Sequence, residues 1–98
     1  MGHLTNHREL IAWQQAVSLV ELIYRDTASF PKQEIYGLTA QIRRSAVSIP
    51  ANIAEGAGRT SLKELVQFLG IASGSKAELD THIEIARRLG WKIGRAHV

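Results

Sequence analysis

The amino-acid sequence predicts an all-α protein: an antiparallel up-down four-helix bundle, truncated to three long helices, with the second kinked at Pro50. Three observations point there. Apolar residues recur at helical spacing along three long stretches. No segment shows the two-residue alternation of a half-buried strand. The apolar stripe around Pro50 keeps its phase across the proline, which a broken and re-aimed helix would not require.

The first helix is expected from Arg8 to about Ala28. Leu10, Trp13, Val17, Val20 and Tyr24 alternate at spacings of three and four, flanked by Ala16 and Ile23. Thr5 or Asn6 can cap its start. Phe30-Pro31 closes the connection, because a residue before proline is pushed out of helical geometry. The second helix then starts at Lys32 or, if Gly37 is a joint, at Leu38. Its stripe is Leu38, Ile42, Ala46, Ile49, Ile53 and Ala57. Pro50 deletes one backbone hydrogen bond and crowds a carbonyl, at a cost of ~3 kcal/mol. The phased stripe predicts that the helix bends there and continues, closing at Gly56 and Gly58. Beside the stripe runs a polar line, Ser45, Ser48, Asn52, Glu55 and Arg59, suited to a tight helix–helix contact.

Ser61-Leu62-Lys63-Glu64 is a capping box and opens the third helix. Its stripe is Leu62, Leu65, Leu69, Ala72, Leu79, Ile83 and Ala86, interrupted only by Lys76. Gly70, Ala72, Ser73, Gly74 and Ser75 are small and would let another helix approach closely. Asn52, Glu55 and Ser73-Gly74-Ser75 are expected to make buried interhelical hydrogen bonds, each costing ~1–3 kcal/mol to lose.

One domain is expected over residues 1–92. The hexapeptide Ile93-Gly94-Arg95-Ala96-His97-Val98 is what a common sequencing adaptor encodes before a stop codon. It is read as a non-native tail, which leaves Arg95 and His97 without functional meaning; a frayed natural terminus is the alternative. On that reading the fourth helix is missing. The apolar stripe it would cover drives association or poor solubility.

Composition narrows the function. Hydrophobic residues make up 45% and charged residues 21%, which argues against disorder. The absence of cysteine excludes disulfides and thiolate metal sites and suits a reducing cytoplasm. Runs without charge, such as Leu10 to Val20, are short of the ~20 apolar residues that span a bilayer, so no membrane partner is expected. No basic leader precedes an apolar segment, and Asn6 stands where a myristoylation motif needs serine or threonine. A net charge of +3 permits nucleic-acid binding without demanding it.

Several segments together resemble one family: Trp13-Gln14-Gln15-Ala16, Phe30-Pro31, the run Tyr36 to Ala46, Ser48-Ile49-Pro50-Ala51-Asn52-Ile53-Ala54-Glu55-Gly56, Ile71 to Ser75, and Glu78-Leu79. The chain from about Leu10 to Trp91 is similar to the four-helix-bundle proteins encoded in intervening sequences of 23S ribosomal RNA. The resemblance implies a left-handed antiparallel bundle that assembles into a ring-shaped homopentamer. It also implies kinship with accessory proteins of diversity-generating retroelements, whose basic barrels bind nucleic acid and a reverse transcriptase. Lys76 and the missing fourth helix depart from the family's pattern.

For nucleic acid the candidates are Arg43, Arg44, Arg59 and Lys63, with Arg87, Arg88 and Lys92 near the other end. Arginine's planar fork donates two hydrogen bonds to a phosphate, giving affinity without reading sequence. The competing expectation is that Glu55, Glu64 and Glu84 neutralise them, since Arg59 follows Glu55 and Arg88 follows Glu84 by four residues. The residues expected to hold structure or interface are Ser48, Pro50, Asn52, Glu55, Gly56, Ser73, Gly74, Ser75 and Glu78. For catalysis or metal, Glu78 and His82 share a face with Asp80 nearby, but no second carboxylate–histidine pair faces them. Neither an enzyme nor a cofactor is therefore expected. The sequence favours a non-enzymatic oligomeric scaffold that contacts RNA or DNA, with a protein–protein adaptor as the rival.

Overall fold

The computed structural model describes residues 7–92. Three helices follow in order: α1 (His7–Thr27), α2 (Leu38–Ala57) and α3 (Leu62–Arg88), with a single 3₁₀ turn (Lys32–Glu34) between the first two. No strand occurs among the described residues. The caps expected at Thr5 or Asn6, and the tail from Ile93, lie outside them.

The second helix starts at the later of the two expected points. Gly37 occupies its N-cap and offers no side chain, so the Glu34 carboxylate accepts from the Leu38 amide at 3.0 Å. The 3₁₀ turn thus supplies the cap that the sequence at Gly37 lacks. The helix then runs unbroken through Pro50, which is buried, as the phased stripe predicts. Gly56 lies inside this helix and does not close it; Gly58 takes the C-cap with an ordinary helical φ of −83°. Gly56 is needed instead for approach. A Cβ there would fall 2.9 Å from the Phe68 Cβ and 3.3 Å from the Leu65 carbonyl oxygen.

The capping box at Ser61 forms, with its hydroxyl accepting from the Glu64 amide at 3.1 Å. The Glu64 carboxylate returns to the Ser61 hydroxyl, which donates to it at 3.3 Å. At the far end, the Gly90 amide bonds to the Arg87 carbonyl and the Trp91 amide to the Ala86 carbonyl. Gly90 has φ +84°, so this is a Schellman closure that needs a residue without Cβ. It turns Trp91 onto Phe30, with ring centroids 5.3 Å apart.

The core is made by Ile23, Ile42 and Leu79, all fully buried, with Ala46, Ile49, Ile53, Ala72, Ile83 and Ala86 around them. Burying such an aliphatic side chain contributes roughly 1.5–3 kcal/mol. α2 is the central element: both α1 and α3 pack on it, and no Cα of α1 comes within 8 Å of one in α3. Gly56 meets Leu65 and Phe68, Ser48 meets Ser75, and Ser45 meets His82, so α2 and α3 run antiparallel.

Two expected stripes are rotated. In α1 the buried line is Ala16, Ile23 and Thr27, whereas Tyr24 is 45% exposed. Tyr24 serves as a platform for Arg43, whose guanidinium sits 4.6 Å from its ring centroid. In α3 the buried line is Ala72, Ser75, Leu79, Ile83 and Ala86. Ser75, not Lys76, occupies the interior position, and Lys76 reaches outward to Asp80 at 2.8 Å. Leu62, Val66 and Leu69 leave the core altogether, with Leu62 74% and Val66 59% exposed. The small residues expected to admit a helix divide: Ala72 and Ser75 are buried, whereas Ser73 is exposed and Gly70 and Gly74 have open space where a Cβ would stand.

Candidate nucleic-acid interface

The cations singled out in the sequence have different fates. Arg59 meets Glu55 at 2.6 Å and lies 4.8 Å over the Phe68 ring. Arg87 and Arg88 share Glu84, at 2.6 Å and 3.0 Å. The hydrogen bond from Arg88 and the charge of Arg87 hold the Glu84 carboxyl below its ordinary range. These are exposed pairs, weak because solvent screens them and weakened further by salt. Arg43 is committed inward: its Nε donates to the Thr27 hydroxyl at 3.0 Å, and a terminal nitrogen reaches the Tyr24 carbonyl at 3.4 Å. Arg44 and Lys63 are different. Both are exposed and neither has an ionic partner among the described residues.

Arg44 borders a groove of about 370 Å³ between α2 and α3, together with Gln41, Ser45, Ser48, Ser75, Glu78 and His82. Helical spacing explains the gathering. Gln41, Ser45 and Ser48 lie at i, i+4 and i+7 on one face of α2, and Ser75, Glu78 and His82 at i, i+3 and i+7 on the facing side of α3. Across the seam the Ser48 and Ser75 hydroxyls are 2.8 Å apart, and Ser45 Oγ lies 3.2 Å from His82 Nδ1.

The protons can be placed. The Ser45 hydroxyl donates to the Gln41 carbonyl at 2.8 Å. Its single hydrogen is then spent, so His82 Nδ1–H must be the donor to Ser45. A histidine that donates to a serine cannot take that serine's proton, so this pair is not an activated nucleophile. Ser45 and Ser75 are 7% and 5% exposed, and the seam fixes the register of α2 on α3.

The seam expected at Asn52, Glu55 and Ser73-Gly74-Ser75 is therefore redistributed. Only Ser75 of those residues bonds between helices. Asn52 donates back along its own helix, to the Ser48 carbonyl at 2.8 Å and the Ser48 hydroxyl at 3.0 Å. Glu55 is exposed and paired with Arg59, and Ser73 and Gly74 are exposed. Asn52 and Glu55 continue the Ser45–Ser48 line one and two turns further along, but their polar atoms are taken by Ser48 and Arg59. Among the residues expected to matter, Arg44, Ser48, Ser75 and Glu78 meet at one groove. Gln41 and the Ser45–His82 contact are added by the structure; their spacing of three, four and seven was the available signal. Among the described residues no group of three histidine, cysteine or carboxylate side chains could hold a metal ion. Among the described residues no helix is long and apolar enough to cross a membrane.

An all-helical chain whose central antiparallel pair is locked by a serine–histidine seam belongs to the class of small helical-bundle proteins. More particularly, the chain belongs to the 23S rRNA-intervening sequence protein family, whose family model matches residues 8–92. A search of curated proteins finds no match to it.

Proposed function

We propose that this protein is a non-enzymatic, cytoplasmic helical scaffold that binds RNA by directing cations at phosphate. The observation that carries the reading is Arg44. It is exposed, makes no ion pair among the described residues, and stands at the mouth of a polar groove lined by hydroxyl, amide, imidazole and carboxylate groups. Lys63, also without an ionic partner among the described residues, extends the positive surface at the start of α3. Arg87 and Arg88 share one carboxylate and so leave a net positive charge at the far end of that helix. The family description names a 23S rRNA intervening sequence, which makes a ribosomal RNA fragment the first ligand to try.

The scaffold works as a homo-oligomer, a pentamer in the simplest case. Leu62, Val66 and Leu69 form an exposed apolar line that a second subunit would cover. That same line supports a second reading, an adaptor that docks a partner helix such as one from a reverse transcriptase, with the arginines only solubilising the protein.

A salt titration separates the two. Binding of a fluorescent RNA should weaken steeply as salt rises, with a log–log slope that shrinks by about one on Arg44→Ala, because each phosphate contact releases counterions. No binding at low salt would leave the adaptor reading standing and remove this one.

A further inference from the structure

We propose that the α2–α3 groove seats one unpaired guanine of a single-stranded RNA. The inference rests on the RNA-binding reading above and adds to it which base is held.

The argument starts from Glu78. On α3 the other carboxylates have partners: Glu64 takes part in the capping box, Asp80 meets Lys76, and Glu84 meets Arg87 and Arg88. Glu78 lines the groove beside Arg44 and has no partner among the described residues. A bare carboxylate beside a bound polyanion is repulsive unless the ligand presents donors to it. The sugar–phosphate backbone has few donors to offer, whereas the bases carry theirs on the Watson–Crick edge.

Guanine is the base whose N1–H and N2 amino group lie side by side, so that both can meet the two oxygens of one carboxylate. Its O6 and N7 are acceptors that match the fork of an arginine. The groove holds both complements, with Glu78 to accept and Arg44 to donate.

A further donor comes from the seam. Ser48 accepts from Asn52 and shares one hydrogen with Ser75, so of the two hydroxyl hydrogens one has no acceptor among the described residues. Both serines line the groove. At about 370 Å³ the space falls in the range of about 300–1,000 Å³ that holds small ligands. A strand passing over the groove therefore gains a phosphate contact at its rim and a base contact inside it.

The test uses the full chain and three fluorescent RNA heptamers read by anisotropy at low salt: all uridine, the same with one central guanosine, and the same with central inosine. The guanosine strand should bind about tenfold more tightly than the uridine strand. Inosine, which lacks the N2 amino group, should lose most of that margin. Glu78→Gln should bring the guanosine-to-uridine ratio near one, and because Glu78 is exposed the variant folds, as circular dichroism would show. Equal, salt-sensitive binding of all three strands would overturn the guanine assignment while leaving phosphate-directed binding intact. Failure of every strand to bind at low salt would overturn both.

Discussion

Replacing Gly56 by alanine separates two opposing effects that the structure sets side by side. In an isolated helix the change gains up to ~1 kcal/mol, because alanine is the better helix former. Here the new methyl would stand 2.9 Å from the Phe68 Cβ and 3.3 Å from the Leu65 backbone oxygen. Neither atom is the free end of a flexible side chain, so α2 must withdraw from α3 by several tenths of an ångström. Overpacking of this kind costs typically ~1–3 kcal/mol. The contact should outweigh the propensity gain, leaving Gly56→Ala destabilised by about 1–2 kcal/mol. For a domain of this size that corresponds to a fall in Tm of roughly 4–16 °C. Gly74→Ala is the internal control. It also lies within a helix, yet nothing stands within 4 Å of its would-be Cβ. It should raise Tm by several degrees. Thermal melts followed by circular dichroism measure both. If Gly56→Ala stabilises as much as Gly74→Ala, the close α2–α3 approach described above is wrong.

Two further outcomes follow from the seam and the surface. Ser48→Ala and Ser75→Ala should each cost about 0.5–1.5 kcal/mol, and the double variant should cost clearly less than their sum, because the two hydroxyls share one hydrogen bond. Strict additivity in denaturant melts would mean that they do not interact. Glu84 titrates below its ordinary value of 4.5, so its pairing with Arg88 and Arg87 stabilises the fold above that pH and is lost as pH falls through the lowered value. At low salt, the Tm advantage of the native protein over Glu84→Gln should therefore be present at neutral pH and vanish in acid. An advantage that grows on acidification would contradict the pairing.

Much of the fold was legible because periodicity survives local insults. The in-phase spacing of Ile42, Ala46, Ile49 and Ile53 outweighed the proline among them, and the helix is continuous. The Ser61 box was legible because its chemistry is local. Side-chain facing was less so. Tyr24 and Leu62 fit a helical stripe as well as Ile23 and Ala72 do, and only the docked partner decides which of two adjacent lines is inside. The same limit explains Asn52 and Glu55. They share the helical spacing of the polar line, but spacing does not say which partner a polar side chain takes, and each finds one four residues away in the chain. His82 was weighed as a metal ligand, although its position seven residues after Ser75 was the sign that both belong to the seam.

The central place of α2 has a consequence for how the molecule opens. Since the backbones of α1 and α3 stay more than 8 Å apart at every Cα, with Trp91 packed on Phe30 beyond α2, each outer helix can detach while the other stays docked. Amide exchange should then sort into two separately released units around a slowest-exchanging centre, with protection greatest near Ile42 and Ala46. Either helical hairpin is competent to form first, and the chain has two routes to the same native state.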